Sequence, residues 1–289
     1  MSDQPLDALV PPATLAERLA AEPADSRLRL VDLRRAEAFA QGHIAGAISL
    51  DPALLNRKAA PFAGLLPDAV MVRQLFQAID LRAGQQVVAI DEGRSTEAAR
   101  LAWVLEAWSA PPVAWLAGGM AAWRADELPM VPGEAASPAA SDVTSPVASD
   151  AAALEPALRG DNLISADELL TRLDDPSLRI LDVRGAAEFA GTDVRSAMGG
   201  HVPGARHYEW TRQFDADGRL HPDEHLRADL AELDVDPSHR VVVYCQSHQR
   251  SAVTWRVLTA LGFDRVQGLD GAWSVWGNRP DLPKATGLD

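Results

Sequence analysis

One cysteine, Cys245, is present among 289 residues, so no internal disulfide can form and a zinc site built from several thiolates is excluded. Basic residues are also scarce: 27 Lys and Arg stand against 41 Asp and Glu, for a formal net charge of −14. Binding to a phosphate backbone needs a concentrated basic face. None is visible, so nucleic acid is not expected as a partner. No apolar run approaches the roughly 20 residues that cross a bilayer. The start, Met1-Ser2-Asp3-Gln4-Pro5, lacks the basic stretch and apolar core of an export signal. A cytoplasmic protein without a membrane partner is expected. An acidic chain can still take a small anion if attraction is local, from loop amides and a few arginines within about one Debye length of 8–10 Å.

What is present is globular: 47% hydrophobic and 24% charged residues, in a chain long enough for two ordinary domains. An internal repeat supplies them. Leu28-Arg29-Leu30-Val31-Asp32-Leu33-Arg34 recurs as Leu178-Arg179-Ile180-Leu181-Asp182-Val183-Arg184. Each is followed by an acidic-aromatic pair, Glu37 with Phe39 and Glu188 with Phe189. Gly42-His43-Ile44-Ala45-Gly46-Ala47 then answers to Gly200-His201-Val202-Pro203-Gly204-Ala205. Later, Gln86-Val87-Val88-Ala89-Ile90 matches Val241-Val242-Val243-Tyr244, and Leu116-Ala117-Gly118 ending in Trp123 matches Leu269-Asp270-Gly271 ending in Trp276. The matched order predicts domains over 1–130 and 159–289, joined through 131–158, whose Ala-, Ser- and Pro-rich composition reads as a linker. Short apolar strands alternate with helical segments at 13–21, 98–108 and 166–173. That alternation predicts an α/β fold, each domain a mostly parallel sheet with helices on both faces. Ligands of such sheets bind beyond the carboxyl ends of the strands.

Cys245 falls at such an end. The strand 241–244 runs into Cys245-Gln246-Ser247-His248-Gln249-Arg250-Ser251, and 252–261 then shows helical spacing closed by Gly262. A free cysteine is usually a small core hydrophobe. Here six polar residues follow it. Loop amides and the helix dipole favour an anion at this place and lower a thiol pKa, and Arg250 adds a full charge. Such a thiolate is a nucleophile suited to an anionic substrate. In the first repeat Asp91 takes the cysteine position, followed by Glu92. A carboxylate cannot carry sulfur, and two acidic side chains repel an anion, so the first repeat is expected to be catalytically silent and to contribute packing and one wall of a cleft.

These residues resemble the rhodanese (thiosulfate sulfurtransferase) family in its tandem form with an inactive N-terminal copy. The loop is similar to that of a bacterial subgroup with Cys-Gln-x-His-x-Arg-Ser, and differs from the Arg/Lys loop of animal thiosulfate enzymes and from the Cys-Gly-Ser-Gly loop of the mercaptopyruvate type. The resemblance implies a ping-pong cycle: the Cys245 thiolate takes the outer sulfur of thiosulfate as a persulfide, and cyanide or a thiol, or a protein acceptor, removes it. Loop amides from Gln246 through Ser247, His248 and Gln249 to Arg250 would hold the terminal sulfur, with Arg250 attracting the donor. Trp210 corresponds in the family to a residue lining the cleft. Asp182 and Arg184 either brace the loop or form a plain structural pair. His248 is expected to shape the site rather than act as a base, because a stabilised thiolate has no proton to lose. His43 and His201 recur in both repeats and so read as structural. No cofactor and no metal are expected; His201, His207, His221 and His225 lack close ligand spacing. A mercaptopyruvate donor, a persulfide carrier and a non-catalytic binding module are the alternatives. A cysteine-dependent phosphatase fits less well, since Cys245 and Arg250 enclose one residue fewer than the Cys-x5-Arg cradle of those enzymes.

Overall fold

The computed structural model describes residues 5–21, 27–93, 96–111, 113–133 and 154–287. Of the expected linker, 134–153 lie outside the described residues, as do Met1 to Gln4 and the Arg94-Ser95 pair of the first repeat's loop. The first repeat runs β1 (Leu9–Val10), α1 (Pro12–Ala21), β2 (Leu28–Asp32), α2 (Ala36–Gln41), β3 (Ile48–Ser49), β4 (Arg57–Ala59), β5 (Phe62–Leu65), α3 (Ala69–Ala78), β6 (Gln86–Ile90), α4 (Thr96–Ala107), β7 (Val113–Leu116) and α5 (Gly119–Ala125). The second runs β8 (Leu163–Ile164), α6 (Ala166–Leu170), β9 (Leu178–Asp182), α7 (Ala186–Ala190), β10 (Ala205–His207), α8 (Asp223–Glu232), β11 (Arg240–Tyr244), α9 (Arg250–Ala260), β12 (Val266–Leu269) and α10 (Ala272–Trp276).

Each repeat builds a parallel sheet flanked by helices, in the order β1-β7-β6-β2-β3 and β10-β9-β11-β12-β8. The central strands are continuous apolar runs because helices cover the sheet: Val87 to Ile90 and Val241 to Tyr244 are all buried. In each sheet the reversal of strand order lies at the central pair, and β9 meets β11 with Asp182 opposite Tyr244. The residue after β11 is Cys245, so the thiol leaves the sheet at its carboxyl edge, where ligands of such folds bind.

The chain forms two compact units, Met1–Leu55 with Pro67–Leu158 and Asn56–Leu66 with Arg159–Asp289. The antiparallel β4–β5 hairpin is thus part of the second unit although it lies within the first repeat. Leu65 joins the second core with Ile164, Tyr244, Leu269, Trp273 and Trp276, and Ala59 and Phe62 pack against it. The hairpin is tied down by polar bonds as well. Leu66 N–H donates to Asp270 Oδ1 (2.7 Å), Ala63 N–H to Ser274 Oγ (2.9 Å), and Ser274 Oγ back to the Ala63 carbonyl (2.6 Å). No helix among the described residues is long and apolar enough to cross a membrane.

The repeated histidines have matching packing in the two units. His43 stacks on Phe39 at 3.8 Å and places Nδ1 3.1 Å from the Phe39 carbonyl, while its main chain pairs with Val131. His201 stacks on Phe189 at 3.7 Å, sets Nδ1 2.9 Å from the Phe189 carbonyl and pairs with Ala285. Each clips a returning segment onto its unit. Trp123 and Trp276 do the same, donating from Nε1 to the carbonyls of Pro129 (3.0 Å) and Pro283 (2.7 Å).

Candidate active site

The loop after β11 is held from below by α10. The first amides of that helix donate to it, Trp273 N–H to the Cys245 carbonyl (3.0 Å) and Ser274 N–H to the Gln246 carbonyl (2.9 Å). From another side the hairpin backbone lies against Ser247. An ideal Cβ on Gly64 would fall 2.1 Å from the Ser247 carbonyl oxygen, and Gly64 has φ 69°, so glycine meets both demands. His248 also has a left-handed backbone, φ 56°, and turns the loop toward α9.

Inside this frame Cys245 is only 1% exposed. Burial alone pushes its thiol pKa up. That effect is outweighed by the Arg250 charge, then by the Ser251 hydroxyl and by the amides of Ser251 and Ser247, and the thiol is held below its ordinary value. A thiol buried among apolar groups would be inert; this one is buried among donors.

Arg250, the first residue of α9, touches Cys245 and is itself fixed by Glu188 of α7. Its Nη1 lies 2.7 Å from Glu188 Oε2 and its Nη2 2.9 Å from Oε1, a bidentate pair. Burial opposes the charge of both partners, but the pair prevails: Glu188 is lowered and Arg250 raised from their ordinary values. Behind Glu188 stands Arg195, with Nη1 at 3.8 Å and a side chain 52% exposed. Sequence reading pointed to neither Glu188 nor Arg195 as part of the site. The signal for Glu188 lay in the repeat register. Counted from Asp32 and Asp182, Phe39 and Phe189 fall in step, and Glu188 then corresponds to Ala38, not to Glu37. Thr96, the first residue of α4, corresponds to Arg250. The pair therefore has no counterpart at the corresponding positions of the first repeat, Ala38 and Thr96.

The other expected site residues are distributed as follows. Ser247 presents its amide to the thiol. Gln246 turns its side chain outward, with Nε2 3.1 Å from Ser196 Oγ and 3.3 Å from the Arg195 carbonyl, pinning the 191–200 loop. Gln249 precedes α9, its side-chain carbonyl buried. His248 is fully buried, with Nδ1 2.7 Å from Ser251 Oγ. Trp210 anchors its main chain on the Val183 carbonyl (3.2 Å), just past the end of β9, and its ring meets Phe214 edge-on. Asp182 and Arg184 form a buried pair, with Nε–Oδ1 2.9 Å, and Arg184 also donates to the Gly200 carbonyl (2.6 Å) and lies 4.5 Å over the Trp273 ring. The main-chain N–H of Trp273 in turn donates to the Cys245 carbonyl, so the pair packs against the residue that holds the loop. Asp32 and Arg34 repeat the arrangement, Arg34 donating to Gly42 at 2.7 Å. His207 Nε2 sits 2.7 Å from the Arg184 carbonyl, with its ring 5.1 Å from the Phe189 ring on which His201 also stacks, and His221 stacks on His225 at 4.1 Å.

In the first unit the same frame holds a carboxylate. Met120 and Ala121 N–H donate to the carbonyls of Asp91 (2.8 Å) and Glu92 (3.0 Å), as Trp273 and Ser274 do in the second. The Asp91 side chain accepts from the amides of Gly93 (3.0 Å) and Ala98 (3.3 Å). The anion cradle is thus filled by the protein's own anion, acting as a cap for α4. Asp91→Ala is expected to lower stability by about 1–2 kcal/mol, the usual loss for a cap, measurable by urea unfolding.

The fold and the loop define a Cys-loop α/β protein, and comparison with known proteins agrees. The model of the rhodanese-like domain matches twice, at residues 12–126 and 165–279. The chain is 34% identical to a thiosulfate sulfurtransferase of Azotobacter vinelandii, over 96% of this chain and 97% of the relative. It is 36% identical to one of Pseudomonas aeruginosa, over 98% and 97%. The crystal structure of the 3-mercaptopyruvate sulfotransferase SseA from Escherichia coli shares the fold, with a TM-score of 0.76, 24% identity, and coverage of 93% of this chain and 99% of that one. The chain belongs to the rhodanese family, with two such domains.

Proposed function

We propose that this chain is a thiosulfate sulfurtransferase working through a persulfide on Cys245. The thiolate attacks the outer sulfur of thiosulfate, the S–S bond breaks, and sulfite leaves with the electron pair. A nucleophilic acceptor, cyanide or a thiol on a small molecule or protein, then attacks the outer sulfur of the persulfide and regenerates the thiolate. Atoms and electrons balance without a cofactor. The observation that carries this reading is a buried cysteine whose neighbours are a fixed guanidinium, a hydroxyl and two amides, an environment built for a sulfur anion. The same neighbours suit the anionic persulfide.

Arg250 is already paired with Glu188, so its charge serves the sulfur it touches more than distant attraction. The more exposed cation beside Glu188 is Arg195, itself ion-paired with the half-exposed Asp193 (Nη2–Oδ2 2.7 Å), and we assign it, by exchange of that partner, the capture of the donor dianion. Arg195→Ala is expected to raise KM for thiosulfate roughly 3- to 10-fold, the scale of one partly exposed charge, with little change in kcat. A cytoplasmic location, read from the sequence, completes the proposal. Thiocyanate formation from cyanide, with thiosulfate and 3-mercaptopyruvate compared as donors, tests it. Preference for thiosulfate supports the reading; preference for 3-mercaptopyruvate replaces the donor; no turnover with either rejects it.

A further inference from the structure

His248 is fully buried at the centre of the loop and has no part in the cycle above. Its Nδ1 lies 2.7 Å from Ser251 Oγ, and the Ser251 hydroxyl is hydrogen-bonded to Cys245. The two contacts share one oxygen. We propose that His248 is a positioning residue acting through Ser251: its Nδ1–H donates to Ser251 Oγ and so fixes the Ser251 hydroxyl proton on Cys245 Sγ.

Proton counting gives the directions. A thiolate only accepts, so the hydroxyl proton goes to sulfur. Ser251 Oγ then offers only lone pairs to its second neighbour, and the proton in the 2.7 Å contact belongs to Nδ1. A hydroxyl free to rotate would split its time among nearby acceptors; a donor behind it removes that freedom and polarises the chain of bonds. The left-handed backbone at His248 places the ring in this position, under the helix start and away from solvent. The inference rests on Cys245 serving as a thiolate, as in the proposed function, but not on the identity of donor or acceptor.

The experiment is the pH dependence of Cys245 alkylation by iodoacetamide in the full-length protein, which reads the thiolate directly. The charged groups facing the sulfur are Arg250 on α9 and, through it, Glu188 on α7 and Arg195 on the 191–200 loop. All are left in place. Ser251→Ala and His248→Ala are each expected to move the midpoint up by about one pH unit, the scale of one hydrogen bond to a charged group. The double variant should match Ser251→Ala alone. His248→Asn should restore the wild-type midpoint, because its amide nitrogen falls near the place of Nδ1 and asparagine tolerates a left-handed backbone. An unmoved midpoint in folded His248→Ala, a further shift when it is added to Ser251→Ala, or no rescue by asparagine would each overturn the proposal. If His248→Ala fails to fold by near-UV circular dichroism, Ser251→Ala decides, since it removes one hydroxyl and leaves the ring; no shift there overturns the relay. The expected shifts in a protein that makes no thiocyanate would reject the sulfur-transfer reading and leave the relay standing.

Discussion

Replacing Cys245 by alanine or serine is expected to remove sulfur transfer by at least about 10,000-fold, the scale of losing a covalent nucleophile, while the protein stays folded. Serine keeps the shape of the side chain, but its hydroxyl stays protonated at neutral pH and cannot hold a sulfane sulfur. The loss should therefore match that of alanine. Thiocyanate production with each variant, alongside urea unfolding, checks both parts. Moving the thiol to the first unit is expected not to help. In Cys245→Ala/Asp91→Cys the new thiol finds Thr96 at the position of Arg250 and Ala38 at that of Glu188, so the fixed guanidinium of the second unit has no counterpart at those positions. Turnover restored in that double variant would show that the paired Glu188 and Arg250 are not required.

Arg250→Ala is expected to lower kcat/KM at neutral pH about 100- to 1,000-fold, the range for losing one preorganised group at a developing charge. Burial pushes the Cys245 pKa up and Arg250 is the largest influence pulling it down. Without the guanidinium the thiol titrates higher. Activity in the wild type rises with pH through a thiol pKa below the ordinary range and then levels. In Arg250→Ala that limb shifts to higher pH, so raising pH recovers part of the loss. Arg250→Lys keeps the charge but not the bidentate fork on Glu188, and should fall between the two. Stability responds as well. Glu188, 5% exposed, is left with Arg195 at 3.8 Å and loses about 3 kcal/mol or less of support. Glu188→Gln added to Arg250→Ala should recover stability but not activity, which separates the two roles of the pair.

The strand, the loop and the thiol were legible because each leaves a local mark. Val241 to Tyr244 is continuously apolar since both faces of β11 are covered, and the change to polar residues after Cys245 marks the edge of the sheet. Asp91 was legible as an unsuitable nucleophile, but its role as the cap of α4 needed the amides of Gly93 and Ala98 in place. Arg250 was visible as a charge; its partner was not, because Glu188 sits 62 residues away and the loose pairing with Glu37 hid its true counterpart, Ala38. Arg195 lies in an irregular loop, where spacing carries no information. The hairpin 56–66 is a further case. Nothing in its composition tells that it belongs with the second unit, since that is decided by Leu65 in a distant core and by Asp270 and Ser274 accepting its amides. The polar residues after Cys245 read alike in sequence, yet the structure divides them: Gln246 reaches for the 191–200 loop and His248 turns inward to Ser251.

The most direct test is intact-mass spectrometry of the purified protein after thiosulfate, with and without later cyanide. A gain of one sulfur atom is expected, localised to Cys245 by peptide mapping, lost on adding cyanide and absent from Cys245→Ser. A protein that turns over thiosulfate with no sulfur ever found on Cys245, or that carries the sulfur in Cys245→Ser, would contradict it.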